Sequence, residues 1–370
     1  MGAGAQPGPT MGHSPAVSAS EETLAIPRVV AVVGPTAAGK STLALRLAEA
    51  AGCRLFACDS VQVYRGMDIG SAKPDADERS RVPHEMIDLV DPDATFSAGA
   101  FARHAHERAR LVAGEDAPRL VMCGGTGLYL RAFAWTSSRV EGGFDDSSRD
   151  GVGSAPFAAD PASADPASAD PSREDPERLA FEREWESKEA KKPGCAHAEL
   201  QRIDAETAAG IHPNNVVRVL RALWLCRFHG APISGLRAKD PPRLRVALSC
   251  IRLEPPAEQL RAQIFARCDA MMARGWLGEV EKLLAQGYDA ELKSMQALGY
   301  KQLVAHLSGA CTRDEAVDEI KMRTWQYARR QRTWFRHQLA EVPVTTVTNP
   351  DELSTADVRA CLDFLETPIA

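Results

Sequence analysis

The sequence predicts an α/β fold: a parallel sheet flanked by helices and interrupted by a mostly helical insertion. Three observations carry this. Short apolar runs alternate with helical periodicity between residues 28 and 135. The first of those runs feeds a glycine-rich loop that opens a helix. After a long helical stretch, an apolar run at 243–251 brings strand character back.

Taken in order, Arg28-Val29-Val30-Ala31-Val32-Val33 reads as a buried strand. Gly34-Pro35-Thr36-Ala37-Ala38-Gly39-Lys40-Ser41 fits G-x-x-x-x-G-K-[ST], and residues 41–50 read as the helix that follows. A strand, a glycine-rich turn and a helix N-terminus together make an anion site. Backbone N–H groups converge there, and the helix dipole adds partial positive charge. Lys40 would reach a terminal phosphate and Ser41 a Mg²⁺ ion, so the core is expected to resemble P-loop NTPases. Arg54-Leu55-Phe56-Ala57 is a second strand ending at Asp59-Ser60. Met86-Ile87-Asp88-Leu89-Val90 is read as a third, residues 96–113 as a helix, and Arg119-Leu120-Val121-Met122-Cys123 as a buried strand opening into Gly124-Gly125-Thr126-Gly127. Helical sequence runs with interruptions from Pro176 to Phe228. Residues 243–251 form another strand, and 258–286 and 313–339 are long helices.

Loops 34–41, 59–60 and 124–129 all fall at strand carboxyl ends, where open parallel sheets bind ligands, so they are expected to share one site. Asp59 can serve there as base, ribose ligand or metal ligand; as a helix N-cap it would be equally at home. The run 64–74 is polar and glycine-rich, and reads as a functional loop. Arg329, Arg332 and Arg336 share one face of the last long helix, interleaved with Trp325, Tyr327, Trp334 and Phe335. That combination suits an RNA backbone and unstacked bases, and equally an exposed basic face over an aromatic core. Arg218 and Arg221, after His212-Pro213-Asn214-Asn215, form a second basic pair, and Gln296 precedes Leu298-Gly299-Tyr300-Lys301.

Composition limits the rest. The chain has 370 residues, 44% of them hydrophobic and 25% charged, as soluble globular proteins do. No apolar run approaches the roughly 20 residues of a membrane helix. The nine cysteines occur without any C-x-x-C pair, which suits free thiols in a reducing cytoplasm. The net charge of −6 is unevenly placed. Residues 141–177 hold ten acids and two arginines and so carry −8, leaving +2 on the remainder. Within them, Asp-Pro-Ala-Ser-Ala units recur with a period that forbids helix and core. The expected organisation is a disordered tail (1–27), a first core part (28–135), a helical insertion (136–235) with a low-complexity insert at about 141–175, a second core part (236–350) and a C-terminal segment (351–370).

Several motifs together resemble one family. They are the loop 34–41, Asp59-Ser60, Tyr64 to Pro74, Pro83-His84, Gly124 to Tyr129, Ile211-His212-Pro213-Asn214-Asn215 with Arg218 and Arg221, Leu298-Gly299-Tyr300-Lys301, and Tyr327-Ala328-Arg329-Arg330-Gln331 with Thr333-Trp334-Phe335-Arg336. In this order they resemble the bacterial tRNA dimethylallyltransferases over roughly residues 28–340. The resemblance implies transfer of a dimethylallyl group from dimethylallyl diphosphate to N6 of the adenine at tRNA position 37. It implies that Gly34, Pro35, Thr36, Ala37, Ala38, Gly39, Lys40 and Ser41 hold the diphosphate with Mg²⁺. Asp59 is then the general base, and Thr126 lies beside the reaction channel. The tRNA-contacting stretches would be Asp59, Ser60, Val61 and Gln62; Val217, Arg218, Val219, Leu220 and Arg221; and Gln296, Ala297, Leu298, Gly299, Tyr300 and Lys301. A cytoplasmic monomer is expected. The chain departs from the family in places. Gln263 stands where an arginine that assists the diphosphate is usual, so Arg261 or Arg267 is expected to substitute. Trp325 replaces a common basic residue, Asn215 a frequent Asp, and no zinc finger of the eukaryotic type follows. The motif set leaves two competitors: a P-loop kinase for a small molecule, and a nucleotide-switched RNA-binding protein. Free adenine nucleotide is a further conceivable acceptor.

Overall fold

A computed structural model describes residues 26–113, 118–136 and 176–367. The insert expected at 141–175 lies outside the described residues, as does the expected tail except for its last two positions. Strand β1 (Arg28–Val33) is buried along its whole length, as a Val/Ala run covered on both faces must be. Helix α1 (Lys40–Ala51) follows the glycine loop, and β2 (Arg54–Ala57), α2 (Ala76–Arg81), β3 (His84–Glu85), α3 (Ala98–Ala113), β4 (Arg119–Gly124) and α4 (Gly127–Ala134) complete the first part. Five helices come next: α5 (Pro176–Lys191), α6 (Cys195–Ile203), α7 (Ala205–Ala209), α8 (Val216–His229) and α9 (Ile233–Lys239). The chain then re-enters the sheet with β5 (Ala247–Leu253) and continues as α10 (Ala257–Ala273), α11 (Trp276–Ala285), α12 (Tyr300–Leu307), α13 (Arg313–Gln338), β6 (Val344–Val347) and α14 (Thr355–Glu366).

The six strands form one parallel sheet in the order β3-β2-β4-β1-β5-β6. The register places Val33 opposite both Gly124 and Arg252, and Ala57 opposite Cys123. The carboxyl ends of four strands therefore sit side by side, which puts three candidate loops at one edge. α5 to α9 bury a core of their own, built on Phe181, Leu200, Val219, Leu223, Trp224 and Ile233. Where the chain leaves the sheet for these helices and where it returns, the two segments clasp. Trp135 and Leu244 form an antiparallel bridge, Thr136 N–H donates to the Arg243 carbonyl at 2.7 Å, and Arg245 N–H donates to that of Ala134 at 2.9 Å.

Three elements differ from the sequence reading. The strand expected at 86–90 is a turn. Met86 (φ 67°) and Asp88 (φ 55°) adopt left-handed backbone, and the Asp88 carboxylate is drawn onto Lys73 (2.6 Å) and Arg79 (3.1 Å). The strand expected from 243 begins at Ala247, because 243–245 are spent in the clasp. The helix expected over 258–286 breaks at Gly275, whose φ of 98° ends one helix and starts the next. The second core part ends in an edge strand the sequence reading did not assign, β6, and the C-terminal segment supplies helix α14, where the Phe364 carbonyl accepts from Arg28 at 2.7 Å.

The loop 64–74, read as functional, is tied down by its own polar groups. The Lys73 side chain is 1% exposed, and its ammonium donates to the Tyr64 carbonyl, Asp68 (2.8 Å) and Asp88 (2.6 Å). Glu279 accepts the backbone N–H groups of Asp68 (2.8 Å), Ile69 (2.6 Å) and Gly70 (3.1 Å), and the Tyr300 hydroxyl (2.7 Å). Gly70 has no room for a Cβ between the Trp276 and Tyr300 rings. Lys73→Met would keep the buried stem and remove the donor to the Tyr64 carbonyl, Asp68 and Asp88, leaving Asp88 with Arg79. Denaturant titration should show a stability loss of about 1–3 kcal/mol; an unchanged midpoint would mean the ammonium contributes nothing.

Candidate active site

The phosphate loop owes its shape to backbone strain that few residues tolerate. Gly34 (φ 140°) lies so close to β5 that a Cβ would fall on the Leu253 carbonyl oxygen. Ala37 (φ 64°) and Gly39 (φ 85°) also take left-handed backbone, while Thr36 and Ala38 beside them do not; left-handed residues in such a loop help turn N–H groups toward one concavity. Lys40 folds back, its ammonium donating to the Pro35 carbonyl at 2.7 Å. Burial lowers this amine to about 8, with a contribution from the nearby Arg267 guanidinium, while the Asp59 charge acts the other way. The Ser41 side chain is exposed at the head of α1 and hydrogen-bonded to the Cys123 thiol, which burial pushes up to about 11 and so keeps neutral.

Asp59 stands just past β2. Its Oδ1 accepts the N–H groups of Val61 (2.8 Å) and Gln62 (3.3 Å), so it does cap the turn that follows. Its charge is also felt at Lys40, Arg267 and Tyr327. Capping fixes the carboxylate without neutralising it, so the two readings left open by the sequence are compatible. The loop after β4 is bound to the loop after β2. Ser60 N–H donates to Thr126 Oγ1 (3.2 Å), Thr126 N–H donates to the Cys58 carbonyl (3.3 Å), and a Cβ at Gly124 would collide with that carbonyl.

Helices α10 and α13 close the pocket. Arg267 sits on α10 within electrostatic reach of both Lys40 and Asp59, and desolvation lowers its pKa. Arg261 lies instead over the Phe265 ring (5.2 Å), and Gln263 is exposed. Of the two candidate substitutes, Arg267 is thus the one whose charge acts on Lys40 and Asp59. On α13, Gln331 is buried, accepting Thr36 N–H (2.8 Å) and donating to the Gly125 carbonyl (2.8 Å). The Tyr327 hydroxyl, one turn away, is hydrogen-bonded to Thr126 and Gln331, and burial and the Asp59 charge raise its pKa. Gln331 enters the sequence reading only as the last residue of the motif 327–331, with no role of its own, and Glu254 not at all, because neither side chain has a task until the loops are in place. Glu254, at the end of β5, pairs with Arg252 (3.4 Å), Arg332 (3.7 Å) and Arg336. Two of the three arginines of the expected RNA face are therefore engaged at the pocket rim, and Arg329 is exposed.

The remaining sequence-predicted contacts are scattered. On α8, Val217 is exposed and Arg218 and Arg221 are half-buried, whereas Val219 and Leu220 are buried in the helical core and present no side chain to a partner. Val61 is half-buried, and the Gln62 amide is spent on the carbonyls of Ser71 (3.1 Å) and Ala72 (3.2 Å). The Gln296 amide donates to the Ala290 carbonyl (2.8 Å). Ala297 and Leu298 pack against the main core, Gly299 and Tyr300 are buried, and Lys301 is exposed. Among the described residues no group of three or more His, Cys, Asp or Glu could cage a metal. Mg²⁺ bound to phosphates needs only one or two protein ligands. The exposed Ser41 hydroxyl beside a carboxylate-bearing loop fits that demand.

A family model described as IPP transferase matches residues 62–338. The chain belongs to the IPP transferase family. A tRNA dimethylallyltransferase of Geobacter metallireducens is 40% identical over 316 residues, 84% of this chain and 89% of that protein. One from Geobacter sulfurreducens is 37% identical over 347 residues, 90% and 96% of the two chains. The crystal structure of tRNA delta(2)-isopentenylpyrophosphate transferase from Staphylococcus epidermidis superposes with a TM-score of 0.56 at 29% identity, covering 91% of this chain and 96% of that one. A eukaryotic dimethylallyltransferase acting on tRNA gives 0.69 at 22% identity, over 92% and 79%, a likeness of fold alone. No described helix is long and apolar enough to cross a membrane.

The lowered amine makes a pH prediction for this family member. Lys40 is charged below about 8 and loses its proton above that value, so the attraction it offers a diphosphate fades as pH rises. An arginine stays charged throughout. The pyrophosphate affinity of the wild type relative to Lys40→Arg, measured by calorimetry, should be flat from pH 6 to 7.5 and decline above pH 8. A ratio constant to pH 10 would show that the amine titrates elsewhere.

Proposed function

We propose that the protein transfers a dimethylallyl group from dimethylallyl diphosphate to N6 of adenosine 37 in tRNA, giving N6-isopentenyladenosine. The observation that carries this is the placement of Asp59 and the Lys40 phosphate loop at the carboxyl ends of β2 and β1, on either side of β4 and its Thr126 loop, to which Ser60 N–H donates at 3.2 Å. One side of the pocket suits a departing diphosphate, and the other a nucleophile with a proton to lose. The bond between donor C1 and the diphosphate oxygen breaks, the N6–C1 bond forms, and the N6 proton passes to Asp59. The N6 lone pair is delocalised into the purine, so a fixed carboxylate is worth roughly 10²–10⁴-fold. Lys40, Arg267 and the loop N–H groups meet the charge that grows on the leaving group. Ser41 would hold Mg²⁺, whose charge when bound offsets that of the diphosphate.

The adenine must leave its stack to reach this pocket, at a cost of a few kcal/mol. Basic groups at the rim and on α8 can offset that cost: Arg336, Arg329, Arg218, Arg221 and Lys301. The separate core of α5 to α9 makes the insertion a distinct arm for the anticodon stem-loop. The protein acts in this reading as a monomer in the cytoplasm. A phosphoryl transfer to a small molecule would use the same loop and leave that arm without a task.

Asp59→Asn retains the acceptor that caps the turn and removes the base. Single-turnover kinetics should show transfer slowed by about 10²–10⁴-fold, with affinities for pyrophosphate and tRNA within a few-fold of wild type. Unchanged transfer would remove Asp59 from the role.

A further inference from the structure

Gln331 belongs to neither substrate loop, yet it is bonded to both. Its side chain is buried at 7% exposure on α13, and both ends of its amide are used. Oε1 accepts the N–H of Thr36 at 2.8 Å, inside the phosphate loop, and Nε2 donates to the carbonyl of Gly125 at 2.8 Å, in the loop that carries Thr126. The approach is close enough that a Cβ on Gly125 would overlap Nε2. Tyr327, at i−4 on the same helix face, is hydrogen-bonded to Gln331 and Thr126. Thr126 in turn accepts the N–H of Ser60, next to Asp59. A single planar group thus spans the gap between the diphosphate side and the acceptor side of the pocket.

We infer that Gln331 is a positioning residue for the transfer, setting the distance between the bound diphosphate and the Asp59–Thr126 wall. This rests on the function proposed above. Each loop is anchored independently to its own strand, so binding of either substrate alone does not need the bridge. Bond formation does, because it depends on the separation of C1 and N6, where a misplacement of about 1 Å costs roughly 10²-fold.

The test uses Gln331→Glu in the full-length protein. The ionised carboxylate still accepts Thr36 N–H but repels the Gly125 carbonyl. The neutral acid has the same shape as the amide and restores a donor to Gly125. A carboxyl facing a carbonyl in a buried position is held protonated to higher pH than usual. At pH 8, kcat for prenylation of tRNA should fall about 10–100-fold, with KM for dimethylallyl diphosphate and for tRNA within threefold of wild type. As pH is lowered to 6, the variant-to-wild-type ratio of kcat should rise several-fold. Gln331→Met, isosteric and unable to bond, should show the same loss at pH 8 without recovery, and it serves alone if the Glu variant does not fold. Wild-type kcat in either variant at pH 8, a deficit in Gln331→Glu that does not change with pH, or a loss lying wholly in KM would overturn the inference. Wild-type protein is assayed first; if it alkylates no RNA, the function reading falls, and with it the inference.

Discussion

Everything at this site depends on how closely backbone can approach backbone at the carboxyl edge of the sheet. β2, β4, β1 and β5 lie side by side, and the chain touches backbone to backbone at two points along their ends: Gly34, after β1, against the Leu253 carbonyl of β5, and Gly124, at the end of β4, against that of Cys58 after β2. A methyl group at either point would push the loops apart. With these contacts the phosphate loop, Asp59 and Thr126 leave neighbouring strand ends, and the Gln331 amide spans the loops, bonded to Thr36 and Gly125. Parallel sheets place ligands at such edges; here α10 and α13 close the edge into a pocket.

The charge balance follows from that closeness. Lys40 and Arg267 outnumber the carboxylate of Asp59, so the balance of these three groups is positive and favours an anion. Desolvation lowers the pKa values of both cations, and in the proposed reaction a bound diphosphate would favour their charged forms. At the rim, Glu254 holds Arg252, Arg332 and Arg336 in place without cancelling them. The arm built from α5 to α9 stands on a separate core, joined to the sheet through the clasp at Trp135 and Leu244.

Much of this was legible in the sequence, and the exceptions share a cause. β1, the glycine loop and α1 announce themselves by an apolar run, a spacing and a helical period, all local signals. α13 does so by length. Residues 86–90 misled because their apolar pattern is that of a strand, while Asp88 is pulled into a turn by Lys73, a partner far along the loop. The loop 64–74 reads as functional because it is polar; the structure adds that part of this polarity holds the loop itself, through Lys73 within it and Glu279 on α11. Val219 and Leu220 sit within a motif that suggests contact with RNA, yet their side chains belong to the arm's core. Gln331 stands in a motif of the sequence, but its role comes from two loops roughly 200 and 300 positions away.

The most direct measurement is mass spectrometry of nucleosides from unmodified tRNA incubated with the protein and either dimethylallyl diphosphate or ATP, with release of pyrophosphate and ADP followed in parallel. The account predicts N6-isopentenyladenosine at position 37, formed one for one with pyrophosphate, and no product with ATP. ADP formation with the RNA left unalkylated would contradict it.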